Sequence, residues 1–490
     1  MFETAEVGHE LDKKVYNREV PELRSALLDV QRELARSPLS VVVLISGVEG
    51  AGKSETMNLL LEWLDARGVA THALWDTTDE ERERPPMWRF WRMLPPAGRI
   101  GIMLGSWYTA PVVDRVFGRS GAAKLDQALE RIVELERMLH AENTVLVKLW
   151  MHIAKSVQRK RFKALERDPR TRWRVTKQDW KFFKRYDEFR SVSEHVLRRT
   201  STGEAPWHII EAADPRYRSM TVGRLLLETL RTRLAAARKA HRPRVKPRLP
   251  VPEATNVLSQ LDRARALSDK AYDRDVAEIE GKLNRLVRKL GDAKRSALIL
   301  FEGPDAAGKG GAIRRLIRCM DARHYQVTAV AAPTDEERAH PYLWRFWRNL
   351  PRVGRVTIYD RSWYGRVLVE RMEGFATPEE WGRAYAEINA FEEQLVEYGV
   401  VVAKLWLAIS PEEQLRRFKN REITPYKQYK ITEEDWRNRK KWRGYEAAAC
   451  DMIQRTSTEM APWTLVEADD KNWARVKVLR TVAKLLEAAL

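Results

Sequence analysis

The sequence predicts an α/β protein of two tandem domains, each a mostly parallel sheet flanked by helices. Two observations predict it. Residues Tyr16–Leu234 overlay Tyr272–Leu490 at a constant offset of 256 with no gap, so Gly47 matches Gly303, Trp180 matches Trp436 and Arg224 matches Arg480. In Thr78–Pro95 against Thr334–Pro351, thirteen of eighteen positions are identical, which chance does not produce. Within each copy, short apolar runs alternate with helix-length segments, the pattern of a parallel sheet covered on both faces. A chain of 490 residues is longer than a single core usually supports. A repeat of about 220 residues is a whole domain rather than a solenoid unit. The expected layout is a first domain over residues 1–237, a connecting stretch over 238–267 and a second domain over 268–490.

Each copy opens on a helix. In the second, Val276, Ile279, Leu283, Leu286, Val287 and Leu290 recur at three- and four-residue steps, which puts them on one face. The run Ala297–Phe301 is short, apolar and partly β-branched and stops before Gly303, as a buried strand entering a turn does. A glycine-rich stretch follows and leads into a helical segment at Ile313–Met320, and further strands are expected at Gln326–Ala331, Val356–Tyr359 and Val400–Leu407. Between the copies, Arg238–Pro252 combines prolines with like charges, which oppose regular structure and mark a linker.

Lys and Arg outnumber Asp and Glu by 88 to 69, and the net charge of +19 points to a polyanionic partner. The two cysteines, Cys319 and Cys450, have neither metal-ligand nor redox spacing and suit a reducing compartment. Met1–Glu6 carries acids where a signal peptide carries basic and then apolar residues, and the apolar run Val41–Ile45 is far too short for a bilayer. The expectation is a cytoplasmic protein without a membrane partner.

Gly303-Pro-Asp305-Ala-Ala-Gly308-Lys309-Gly310-Gly311 lies between a strand and a helix. Glycines there let backbone N–H groups and a helix N-terminus face phosphate oxygens, while Lys309 adds a positive charge. The first copy, Gly47-Val-Glu-Gly-Ala-Gly52-Lys53-Ser54, satisfies the standard phosphate-loop pattern in full, whereas the second has Gly310 where a magnesium-binding Ser or Thr is usual. Magnesium also needs a carboxylate, and here the copies part. The second copy reads Asp360-Arg361-Ser-Trp-Tyr364 where the first reads Leu104-Gly105-Ser-Trp-Tyr108. Asp305 and Asp360 are therefore the candidate magnesium ligands, and the first copy, with Lys53, Leu104 and Gly105, reads as a degenerate site.

These motifs, with the basic stretch Arg421–Lys430, resemble the polyphosphate kinase 2 family, and the tandem arrangement looks like its two-domain class. The resemblance covers nearly the whole chain. It implies phosphate-loop kinase domains similar to thymidylate kinase, a magnesium requirement, inorganic polyphosphate as phosphoryl donor, AMP as acceptor and catalysis in the C-terminal half. Asp305, Lys309, Asp360 and Arg361 are the expected catalytic residues, and Gly303, Gly308, Gly310 and Gly311 the expected phosphate cradle. Arg366, Arg421, Lys427 and Lys430 are the expected polyphosphate track and lid. The first copy keeps lid charge at Arg167, Arg170, Arg172 and Arg174.

Three alternatives share parts of this pattern: a polyphosphate-dependent ADP or GDP kinase, an ATP-dependent nucleoside monophosphate kinase, and a nucleic-acid-binding phosphate-loop protein. Clusters such as Trp344-Arg345-Phe346-Trp347-Arg348 invite the last reading, because aromatics stack bases. Both copies carry them, however, and only one keeps the acid, which favours a packing role. A homo-oligomer built through the tandem domains is compatible with the duplication.

Overall fold

A computed structural model describes residues 1–74, 76–239 and 256–490. Most of the expected linker, residues 240–252, lies outside the described residues. The chain divides into two compact units. One comprises Met1–Asp76, Arg89–Arg242 and Pro333–Trp344, and the other Thr77–Trp88, Pro243–Ala332 and Arg345–Leu490. The identical Thr-Asp-Glu-Glu-Arg stretches, residues 78–82 and 334–338, thus belong each to the unit built mainly from the other copy. Each stretch has a local role: the Thr78 and Thr334 hydroxyls cap short helices whose third residues, Glu81 and Glu337, return the bond as a capping box.

In the first unit, strands β1 (Ser40–Gly47), β2 (Val69–Ala73), β3 (Ile100–Leu104), β4 (Thr144–His152) and β5 (Trp207–Glu211) form a sheet of order β2-β3-β1-β4-β5. In the second, β6 (Ser296–Glu302), β7 (Tyr325–Ala329), β8 (Val356–Asp360), β9 (Val400–Ala408) and β10 (Trp463–Glu467) repeat it as β7-β8-β6-β9-β10. Every pair is parallel. β6 is buried throughout, as a central strand covered on both faces must be. The helix Asp269–Lys289 lays Ile279, Leu283 and Val287 on the same core, and the helix Lys471–Ala489 adds Val478, Leu479 and Val482. Register sets the site: Phe301 pairs with Asp360 and Glu302 with Trp406, so the carboxyl ends of β6, β8 and β9 finish side by side. Ligands collect at such an edge in open parallel sheets.

The structure extends the sequence reading at three places. The helix after the loop runs Lys309–Arg318, earlier than the apolar pattern suggests, because Gly308 caps it in the left-handed region at φ +104°. The strand Trp463–Glu467 is additional; five residues with intermediate positions at its centre carry no clear alternation. The aromatic cluster is packing, as its presence in both copies suggests: Trp344, Phe346 and Trp347 are buried, and Phe346 meets Trp363 edge-on. Among the described residues no helix is long and apolar enough to cross a membrane.

Candidate active site

The loop after β6 has its shape enforced by close packing. A Cβ on Gly303, whose φ is +140°, would stand 2.4 Å from the Leu407 carbonyl oxygen, so only glycine lets this turn cross β9. Arg417 braces the loop from the helix Pro411–Ile423, donating to the carbonyls of Ala306 and Ala307 at 2.9 and 3.0 Å, while Gln414 donates to that of Asp305 at 3.0 Å. The first copy keeps both braces, with Arg161 on Gly50 and Gln158 on Glu49. At the helix start, the backbone amides of Lys309 and Gly310 have no backbone acceptor among the described residues, and a Cβ on Gly310 or Gly311 would meet nothing within 4 Å. Donors in open space at a helix N-terminus make an anion cradle.

Three of the four expected catalytic side chains meet around Asp305. Arg361 Nη2 donates to Asp305 Oδ1 at 2.8 Å, and Lys309 donates to the Gly303 and Pro304 carbonyls at 2.7 and 3.2 Å. Burial pushes Lys309 below the ordinary lysine value, helped by Arg361, while Asp305, Asp360 and Glu302 pull the other way. Burial works against ionisation of Asp305, but Lys309 and Arg361 outweigh it and hold the carboxyl below its usual range. The fourth, Asp360, ends β8 facing Lys309 and Arg361, and no described residue donates a hydrogen bond to its carboxylate. Asp305 is engaged on both oxygens, the second by Asn438 Nδ2 at 3.1 Å, which leaves Asp360 as the open oxygen donor.

Loop and lid enclose a groove of about 690 Å³. Ten Lys and Arg side chains line it against three carboxylates, a balance that suits a polyanion. Arg421, Lys427 and Lys430 lie on its wall as expected, with Arg421 donating to the Lys430 carbonyl at 3.0 Å. Arg366 does not join them. The 3-10 turn Trp363–Arg366 carries it away from the groove, and it pairs with Glu370 at 3.2 Å.

The sequence reading missed four residues. Glu302, at the end of β6, is buried and accepts from Ser362 Oγ at 2.8 Å, and burial raises its carboxyl despite Ser362, Lys309 and Arg361. Asn438 continues from Asp305 towards Tyr445, whose hydroxyl donates to Glu373 at 3.2 Å. Their counterparts at the 256-residue offset are Ser46, Phe182, Phe189 and Phe117. The same subtraction of one copy from the other that singled out Asp360 finds all four.

In the first copy the loop is self-neutralised. With Gly105 in place of Arg361, the carboxylate of Glu49 turns to Lys53 at 2.9 Å. What both copies keep is structural: a buried Lys–Glu pair, Lys148–Glu136 at 2.6 Å and Lys404–Glu392 at 2.7 Å, ties Trp107-Tyr108 and Trp363-Tyr364 respectively to the sheet.

Arg361 also carries backbone strain. Its φ is +64°, a region that costs a non-glycine residue about 1–2 kcal/mol, whereas the first copy has Gly105 at +81°. Arg361→Gly is therefore expected to unfold no earlier than the native chain, the relieved strain offsetting the lost ion pair with Asp305. A thermal melt checks this, and a clear drop in melting temperature would show that the strain is not relieved.

The 2-3-1-4-5 parallel sheet, the glycine loop after its first strand and the cationic groove define a phosphate-loop phosphotransferase of the kinase type. Comparison with known proteins narrows the class. The sequence profile of the polyphosphate kinase 2 family matches residues 10–238 and 266–490, and the chain belongs to that family. It is 53% identical to a polyphosphate:AMP phosphotransferase of Pseudomonas aeruginosa, spanning all of this chain and 99% of that one. The enzyme of the same name from Acinetobacter johnsonii is 37% identical over 92% of this chain and 91% of its own. A crystal structure of a polyphosphate kinase 2 from Pseudomonas aeruginosa superposes with a TM-score of 0.90 at 50% identity, covering 100% of this chain and 99% of that chain.

Proposed function

We propose that the second copy transfers the terminal phosphoryl group of inorganic polyphosphate to AMP, giving ADP and a polyphosphate one unit shorter. The observation that carries this reading is the groove: ten cations along one wall system suit a chain of phosphates. Binding of such a donor is expected to weaken with salt, as nucleic-acid binding does.

The reaction needs positioning and charge stabilisation more than covalent help. Lys309 and the free amides of the helix start hold donor phosphates. An oxygen of the acceptor phosphate bonds to the terminal phosphorus as the bridging P–O bond breaks, and the electron pair leaves on the shortened chain. Phosphate monoesters have a second pKa near about 6, so the acceptor is already dianionic at neutral pH and no general base is required. Arg361, beside Asp305, neutralises charge on the phosphoryl group in flight. Arg421, Lys427 and Lys430 close over the donor and keep water out.

Magnesium belongs to this proposal. Asp360, with its open carboxylate, would offer the ion a hard oxygen donor, Asp305 would join it through an oxygen that also accepts from Arg361 or Asn438, and the bound ion would supply positive charge to the reacting phosphates. The reading also places the protein in the cytoplasm, where AMP and reduced cysteines are found, and the described Cys319 and Cys450 are free and buried.

The test offers AMP, ADP or GDP as acceptor with long-chain polyphosphate or ATP as donor and measures the phosphorylated product. ADP formation from AMP and polyphosphate, and not from AMP and ATP, is expected. Preference for ATP would make the chain a nucleoside monophosphate kinase, and transfer only to ADP or GDP would overturn the acceptor assignment.

A further inference from the structure

A second hollow of about 110 Å³ borders the same loop. It meets the groove at Asp305 and Arg361, which line both. Its character is different. Trp406, Trp442 and Tyr445 provide aromatic surface, Leu258, Leu368 and Ala408 provide aliphatic surface, and Arg263 and Glu446, 3.9 Å apart, add a polar pair. A polyanion has no use for such walls, whereas a flat heteroaromatic ring with a polar edge does.

One wall comes from an unexpected place. Leu258 and Arg263 belong to the stretch that connects the copies, ahead of the helix Asp269–Lys289. The 256-residue offset extends into this stretch, because the Leu11 amide is bonded to Asp214 Oδ1 at 3.4 Å and the Leu267 amide to Asp470 Oδ1 at 3.2 Å. Leu258 therefore corresponds to Phe2, Trp406 to Trp150 and Ala408 to His152.

In the first copy this place is filled from within. Phe2 is fully buried; its ring lies 4.6 Å from His152 at an interplanar angle of 6° and 5.9 Å from Trp150. Glu6 holds the outer side of His152 through a 2.7 Å contact with Nε2. An aromatic ring from the chain itself thus stacks where the second copy, with the smaller Leu258 and Ala408, leaves space. The opening is wider again at Gly365, where the first copy has Thr109.

We infer that the hollow between Leu258, Trp406 and Ala408 receives the nucleoside ring of the acceptor, that the connecting stretch is its specificity-determining wall, and that Phe2 closes the equivalent place in the first copy. The inference rests on the proposed transfer to a nucleoside phosphate. A ring seated there sends its phosphate towards Asp305 and Arg361, the border with the donor groove. Leu258 and Arg263 position the acceptor and take no part in bond making.

The test installs the first copy's residues in the second. Leu258→Phe, alone and with Ala408→His, is expected to raise KM for AMP at least tenfold, with KM for polyphosphate unchanged and kcat at saturating AMP largely kept. Calorimetric titration of the native full-length chain with AMP alone is expected to give one site per chain, with affinity lost in the double variant. Circular dichroism and retained polyphosphate binding establish that the variants fold. Should Leu258→Phe fail to fold, Leu258→Ala replaces it, with a raised KM for AMP again expected and KM for polyphosphate unmoved. Folded variants with native AMP affinity would overturn the pocket, and two AMP sites per native chain would overturn its closure in the first copy. Failure of the transfer proposal looks different: the native chain would make no ADP from AMP and polyphosphate, whatever its AMP affinity.

Discussion

Replacing Asp360 by Asn is expected to lower turnover at least about 100-fold, the effect of removing one strong electrostatic contact from a transition state. The substitution keeps size and shape. No described residue donates a hydrogen bond to the Asp360 carboxylate, so the fold loses no recorded bond, and only charge is removed from a site that faces Lys309 and Arg361. Three of the four charged groups that act on Lys309, Asp305, Asp360 and Glu302, support its protonated form against burial; losing one weakens that support as well. The measurement is kcat at saturating AMP and polyphosphate, beside a melting curve. Near-native kcat in a folded Asp360→Asn would remove this residue from the mechanism.

The largest contrast is expected between the two loop lysines. Lys309→Ala should abolish transfer, whereas Lys53→Ala should leave turnover largely intact and at most weaken affinity for long polyphosphate. Pattern matching points the other way, since the Lys53 loop is the one that fits the phosphate-loop pattern with Ser54. The environment decides. Lys53 is spent on Glu49 at 2.9 Å and has Leu104 and Gly105 where the second copy has its acid and its arginine. Lys309 leaves Asp305 to Arg361 and, among the described residues, hydrogen-bonds to the Gly303 and Pro304 carbonyl oxygens alone, from which an incoming phosphate can draw it. Steady-state kinetics of the two variants settle the matter, and equal damage to kcat would end the account of the first copy as a degenerate twin.

Much of this protein is readable one residue after another. The repeat at offset 256, the strand run ending before Gly303, the glycine loop and the loss of Asp360 and Arg361 in the first copy are all local or periodic signals. They suffice for fold class, for family and for the short list of proposed catalytic residues, because helix and strand periodicity and glycine turns depend on neighbours along the chain. The apolar pattern placed the loop helix late only because its first turn is built of Lys309, Gly310 and Gly311, which carry no periodicity.

Tertiary structure decided the rest. Asn438 reaches Asp305 from 133 residues away, and Glu302, Tyr445 and Glu373 join it only once β6, β8 and the helices behind them have packed. Arg366 is expected on the polyphosphate track, yet a 3-10 turn carries it to Glu370. Phe2 and Leu258 show no motif at all; their opposite effects, one hollow filled and one left open, come from what stands across the sheet edge in β4 and β9. The sequence by itself determined the fold class and the family, and it singles out the half proposed to carry the chemistry. Which side chains stand within reach of that chemistry depends on crossover connections that join distant segments, and close packing, which no local pattern records, sets those distances.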